Sequence, residues 1–241
     1  MSSQEDILKK ATIFIDKKDY KKAKSILLAL IKVAKNFKID ARVFYALYLS
    51  FDGLKESKEA KRYLEKYLKI NDKNHVGLNN LANIYLKEGN NHKAEKFYLK
   101  SLEYKNNYLI GIINLAIFYQ NIGRLDEAKK FYLKAIDLSP KQISIYFNLN
   151  RIDKNFMDKN KINYLINLMK NEKIESMEMA YGFFLLAENE RKQNFYIKEM
   201  EYLEKAHQCT FEEKLNKNNR TLNYWQNTIS MKYDKFSFLN E

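Results

Sequence analysis

Asn80, Asn114 and Asn148 stand one fixed step of 34 residues apart, and each is followed by leucine. A side-chain amide carries one carbonyl acceptor and two N–H donors, the complement of a backbone peptide group. Amides repeated at a constant interval are therefore suited to gripping an extended peptide backbone, whatever side chains it bears. No other residue set offers a competing chemistry. His75, His92 and His207 are isolated from one another, and His207 and Cys209 are two apart, which on a helix points them to different sides. No zinc-ligand spacing occurs. No phosphate-cradling Gly-rich loop occurs either, and six glycines in 241 residues leave little to build one from. Acidic residues alternate with lysine, as in EAKRYLEKYLK, and solvated i, i+4 pairs account for them. No catalytic residue, cofactor or metal is expected.

The elements that position these asparagines must be helical. One proline and six glycines exclude a fold built on tight hairpins. A single cysteine excludes an internal disulfide framework and fits a reducing compartment. The N-terminal MSSQEDILKK lacks the basic-then-apolar pattern of a secretory signal, and the longest apolar runs fall well short of the roughly 20 residues a membrane helix needs. The expected location is cytoplasmic. The net charge of +13 raises a nucleic-acid or anionic-lipid surface as a reading. Lysines scattered along the chain, far outnumbering arginines, weigh against it.

Self-similarity decides the architecture. Shifting GLNNLANIYLKEGNNHKAEKFYLKSLEY, from Gly77, by 34 residues superimposes it on GIINLAIFYQNIGRLDEAKKFYLKAIDLSP, from Gly111. Asn80 then meets Asn114, Leu81 Leu115, Ala82 Ala116, Tyr85 Tyr119, Gly89 Gly123, Ala94 Ala128, Phe97 Phe131 and Tyr98 Tyr132. Leu78, Leu81 and Tyr85 form one apolar stripe at helical spacing. The alanines are small where two antiparallel helices approach, and the glycines sit where the first helix stops.

This pattern resembles the tetratricopeptide repeat, with Ile112, Leu115, Ala116, Tyr119, Gly123, Ala128, Tyr132, Ala135 and Pro140 at its characteristic positions. The resemblance implies an all-α, right-handed α-solenoid of about six helix pairs, read as one domain over residues 1–241. Repeats are expected near 4–37, 41–74, 75–108, 109–142, 143–175 and 177–213. The fifth is degenerate, with Asn150 and Asp153 in place of the small residue and the tyrosine, and a kink or boundary is expected near 155–160. A helix near 219–232, with Leu222, Trp225 and Ile229 on one face, is expected to cap the last repeat, as solenoids require.

In this family the first helix of each pair lines a concave groove, so the resemblance places Asn80, Asn114 and Asn148 along it, similar to the asparagine ladder of O-linked N-acetylglucosamine transferases. Asn79 and Asn83 add polar contacts, Ile113, Ile117 and Phe147 apolar ones, and Arg151 and Lys87 cationic ones. The implied function is a scaffold that binds a protein or an extended peptide. A clamp for a C-terminal carboxylate fits poorly, because Asn79 stands where its lysine belongs. The segment from Tyr181 to Gln208, followed by LNYWQNTI, is also similar to the last repeat of bacterial tetratricopeptide proteins fused to a sulfotransferase domain. That resemblance implies the substrate-recruiting half of such an enzyme, with no catalytic residue in this chain.

Overall fold

A computed structural model describes residues 3–34 and 38–215, and the helix expected near 219–232 lies outside them. Among the described residues there are twelve α-helices and no strand. They are α1 (Gln4–Asp16), α2 (Tyr20–Val33), α3 (Ala41–Gly53), α4 (Ser57–Ile70), α5 (His75–Lys87), α6 (Asn91–Tyr104), α7 (Leu109–Asn121), α8 (Leu125–Leu138), α9 (Ile143–Ile152), α10 (Lys159–Asn171), α11 (Ser176–Lys192) and α12 (Tyr196–Leu215). The chain divides into two compact units between Phe118 and Tyr119, within α7.

In the first unit α1 packs on α2, α3 on α4 and α5 on α6, and successive pairs meet through α2 and α3, α4 and α5, and α1 and α3. Side chains at the seams are small or flat. Ala11, Ala23, Ala82 and Ala94 are fully buried, which lets helix axes approach closely, while Leu27, Leu47, Leu64 and Leu78 fill the space between pairs. Helix starts are fixed by short polar side chains. Ser3 and Asp6 form a reciprocal capping box, and the Asn74 side chain accepts from the Gly77 N–H at 2.7 Å.

In the second unit α8 packs on α9, α9 and α10 each meet α11, and α11 lies along α12. Its core gathers Ile143, Tyr146, Met157, Ile162, Leu165, Leu168, Leu185 and Leu186.

Five of the six helix pairs turn the same way. The second residue after the first helix has positive φ at Lys18 (60°), Lys55 (63°), Gly89 (74°), Gly123 (78°) and Asn194 (62°). The next N–H reaches back to a carbonyl five residues earlier: Asp19 to Phe14, Glu56 to Phe51, Asn90 to Tyr85, Arg124 to Tyr119 and Phe195 to Glu190. This is the Schellman closure, and glycine adopts its left-handed backbone without strain. Between α9 and α10 the turn is different: α9 stops three residues early and residues 153–158 form a loop.

Candidate functional site

The two asparagines of the first unit are held alike. Asn80 Nδ2 donates to the Tyr45 hydroxyl at 3.2 Å, and Asn114 Nδ2 donates to Asn79 Oδ1 at 3.1 Å. Each bond reaches 35 residues back along the chain, from the first helix of one repeat to the first helix of the one before. Both asparagines are half-buried. Their amides are thus oriented from one side by the protein, leaving the carbonyl oxygen and a second N–H for another partner.

Asn79, expected in the groove, is 2 % exposed and acts from beneath as the acceptor for Asn114. It sits on the buried stripe of α5 one residue before Asn80, which a helix turns by roughly 100°. Asn83 is half-buried, and its Oδ1 accepts from the Tyr98 hydroxyl of α6. Burial pushes the Tyr98 phenol up to about 12, so it stays a neutral donor. Asn83 therefore serves the pairing of α5 with α6, whereas Ile113 and Ile117 are half-buried on α7. Lys87 is exposed and lies 4.0 Å from the Asp52 carboxylate.

The structure adds a feature that the asparagine spacing does not reveal. Leu8, Thr12, Ile13 and Ile15 of α1, with Tyr45, Ala46 and Leu49 of α3, line a cleft of about 660 Å³. Glu5, Lys9, Asp16 and Arg42 form its rim. Tyr45 is shared, since its hydroxyl receives Asn80 and its ring is set 5.0 Å from that of Tyr67. A signal exists in the sequence: 34 residues before Asn80 stands Ala46, and 34 before Asn83 stands Leu49. The helix face that carries amides in α5 is therefore apolar in α3.

In the second unit Phe147 and Asn148 are half-buried on α9, and Arg151 is exposed. Phe147 is engaged by α11, its ring centroid 4.9 Å from Tyr181 and 6.1 Å from Phe184. Asn150, two residues past Asn148, is 2 % exposed; its Nδ2 donates to Glu188 Oε2 at 2.9 Å, and its Oδ1 has no partner. Glu188 also meets Lys154 at 3.0 Å and Arg191 at 4.0 Å.

Among the described residues no three His, Cys, Asp or Glu side chains gather as a metal would require, and no helix is long and apolar enough to cross a membrane. Several lysines act as struts between helices: Lys24 with Glu56 at 2.7 Å, Lys61 with Glu88 at 2.6 Å, and Lys129 with Asp153 at 2.6 Å. Lys61 also lies 4.2 Å from the Tyr85 ring centroid. Part of the positive charge is thus paired at the surface, between a helix of one repeat and a neighbouring turn.

The sequence pattern of the tetratricopeptide repeat matches residues 77–108 and 112–142. No curated protein matches the chain. Among solved structures, PilF of Pseudomonas aeruginosa superimposes with a TM-score of 0.59 at 14% identity, over 93% of this chain and 97% of that one. A structure of MamA does so with a TM-score of 0.53 at 14% identity, over 86% and 97%. YrrB, a TPR protein with an unusual peptide-binding site, gives a TM-score of 0.54 at 16% identity, over 69% and 86%. At such identities the likeness is one of fold.

Proposed function

We propose, on the premise that this chain is a tetratricopeptide-repeat protein, that it is a non-catalytic scaffold binding an extended peptide segment of a partner protein along the inner helices of its first unit. The observation that carries this reading is the repeated tethering of Asn80 and Asn114. Each amide is held by one N–H against the preceding repeat, at 3.2 and 3.1 Å, so that its remaining acceptor and donor are presented in a fixed pose. Preorganised polar groups bind an extended backbone with less loss of side-chain entropy than free ones. The peptide-binding site of YrrB, on the same fold, supports the choice of ligand class. Asn148 and Arg151, with Phe147 beside them, extend the proposal to the second unit as a separate contact surface. A cytoplasmic setting completes it, consistent with the free thiol of Cys209.

The test is to pan a library of random dodecapeptides against the full chain and to titrate the enriched peptides by fluorescence anisotropy. Asn80→Ala and Asn114→Ala together weaken those peptides by 10-fold or more if the reading holds. Unaltered affinity in the double variant rejects the role of the amides. Folding is followed in parallel by urea titration. Loss of the Asn80 bond costs roughly 0.5–1.5 kcal/mol, and loss of the Asn114 bond costs about 1–3 kcal/mol because Asn79 Oδ1 is left buried without a donor.

A further inference from the structure

We infer that the cleft between α1 and α3 is a pocket for a bulky, uncharged aliphatic or aromatic side chain of the bound peptide. It anchors one end of a segment whose backbone then runs onto Asn80 and Asn114. The inference rests on the peptide-binding reading of the same unit and assigns that reading a sequence preference.

Four features of the cleft select this occupant. First, its walls are apolar where they meet solvent: Ile13 is 52 % exposed, although it belongs to a helix whose opposite side, at Ala11, is fully buried. Second, the two hydroxyls in the wall each already make a hydrogen bond within the protein. The Thr12 hydroxyl donates to the Leu8 carbonyl at 3.0 Å, and the Tyr45 hydroxyl accepts from Asn80 at 3.2 Å. Third, the charged rim is balanced. Arg42 donates to Glu5 at 2.8 Å and to Asp40 at 2.6 Å, and the remaining rim groups, Lys9 and Asp16, have opposite sign. A charged side chain seated against Ile13, Ile15 and Leu49 would lose hydration to an apolar wall, which is unfavourable. Fourth, about 660 Å³ lies within the range of ligand clefts, roughly 300–1,000 Å³, and exceeds what a methyl group fills. The Tyr45–Asn80 bond makes the pocket and the amides contiguous, so a segment seated in one is delivered to the other.

The enriched dodecapeptides described above provide the probe. They are expected to share a Leu, Ile, Met, Phe or Trp at one position, and replacing that residue by alanine should weaken binding at least 10-fold. Ile13→Glu and Leu49→Glu, each made singly in the full chain, should do the same while urea unfolding stays cooperative. Ile13 is the more decisive site, since its exposure leaves the core untouched. If both variants bind the peptides as the parent does while Asn80→Ala weakens them, the pocket is refuted and the groove stands. If no peptide is enriched, both are refuted. If the chain sediments as a dimer that Ile13→Glu dissociates, the occupant is a second copy and the peptide anchor is overturned.

Discussion

The pairs α5–α6 and α9–α10 occupy equivalent stretches of sequence 68 residues apart yet are built differently. In α5–α6, Ala82 and Ala94 let the helices close, Tyr85 stacks on Phe97 at 5.4 Å, and Gly89 turns the chain at φ 74°. The residues in the same places of α9–α10 are Asn150, Ile162, Asp153, Leu165 and Met157. Asn150 puts a buried amide where an alanine sits elsewhere. Asp153 ends the helix: its side chain accepts from the Asn155 N–H at 3.2 Å, and its backbone is extended (φ −128°, ψ 93°). The chain then dips inward, burying Met157 and placing Phe156 against Tyr146 at 6.1 Å. Even so, α10 begins at Lys159, the step expected from Asn91 and Leu125. A repeat can therefore lose its turn and its aromatic stack and keep its phase, provided other apolar groups refill the core. The lost helical turn is exchanged for side-chain burial.

The largest expected effect comes from forcing the α9 residue into α5. Ala82→Asn adds volume at a site with no exposed surface and buries an amide there without the Glu188 that Asn150 uses. Overpacking and unmet hydrogen bonds together cost about 3 kcal/mol or more. Urea unfolding followed by circular dichroism measures this. A loss below about 1 kcal/mol would mean that α5 can open as α9 does, and that the contrast between the pairs is superficial.

The turns give the next effect. A Cβ on Gly89 meets nothing within 4 Å, so Gly89→Ala isolates the backbone term, expected to cost roughly 1–2 kcal/mol. Lys55 holds the same place with φ 63°, and Lys55→Gly relieves that strain against a greater chain entropy in the unfolded state, for a gain of about 0.5 kcal/mol. Opposite signs from equivalent sites, read from paired urea midpoints, would confirm that conformation alone distinguishes them. Equal signs would show that packing intrudes.

These positions also show what could be read from the chain. Gly89 and Gly123 mark their turns in sequence because only glycine is comfortable there. Lys18, Lys55 and Asn194 make the same turn invisibly, their strain absorbed by the helices on either side. Asn80 and Asn114 are legible as a pair by spacing, but their partners are not. Tyr45 and Asn79 lie 35 residues upstream, and nothing local in the sequence says that a hydroxyl in one case and an amide in the other will receive them. Asn79 and Asn80 look alike in sequence and differ in fate, one buried and one half-exposed, because a single helical step separates core from surface. The cleft beside Ile13 is not legible in the sequence, because an apolar residue at helical spacing fits a core position equally well; only the packing of α1 on α3 distinguishes an apolar side chain that is covered from one that is not.

Alkaline pH probes the aromatic layer of the well-formed pairs. Burial pushes the phenols of Tyr98 and Tyr132 up to about 12, and each donates to an amide oxygen, Asn83 and Gln120 respectively. The unfolded value is about 10. A phenol whose value rises on folding contributes stability that is complete below pH 10 and fades as pH climbs toward 12. Tyr98→Phe with Tyr132→Phe should lose about 1 kcal/mol per hydrogen bond at pH 7 and show a shallower decline between pH 10 and 12. The place of these tyrosines in α10 is taken by Ile166, which does not titrate. An unchanged slope in the double variant would locate the alkaline sensitivity in other tyrosines.

The smallest expected effect is the reverse of the first substitution. Asn150→Ala removes a bond of 2.9 Å to a carboxylate, worth roughly 1.5–3 kcal/mol, but also removes a buried carbonyl oxygen with no partner, whose burial costs about 1–3 kcal/mol. Glu188 keeps Lys154 at 3.0 Å, so it is not stranded. The two contributions nearly cancel, and the urea midpoint should move by less than the equivalent of about 1 kcal/mol. The same pair of residue types, exchanged in opposite directions at equivalent sites, would then give a large loss in α5 and almost none in α9. That asymmetry is the signature expected of a repeat that has already relaxed around its irregular residue. A loss above about 2 kcal/mol would instead make the Asn150–Glu188 bond the fastening that holds α9 to α11, and the amide a requirement of this repeat rather than a tolerated departure from the pattern.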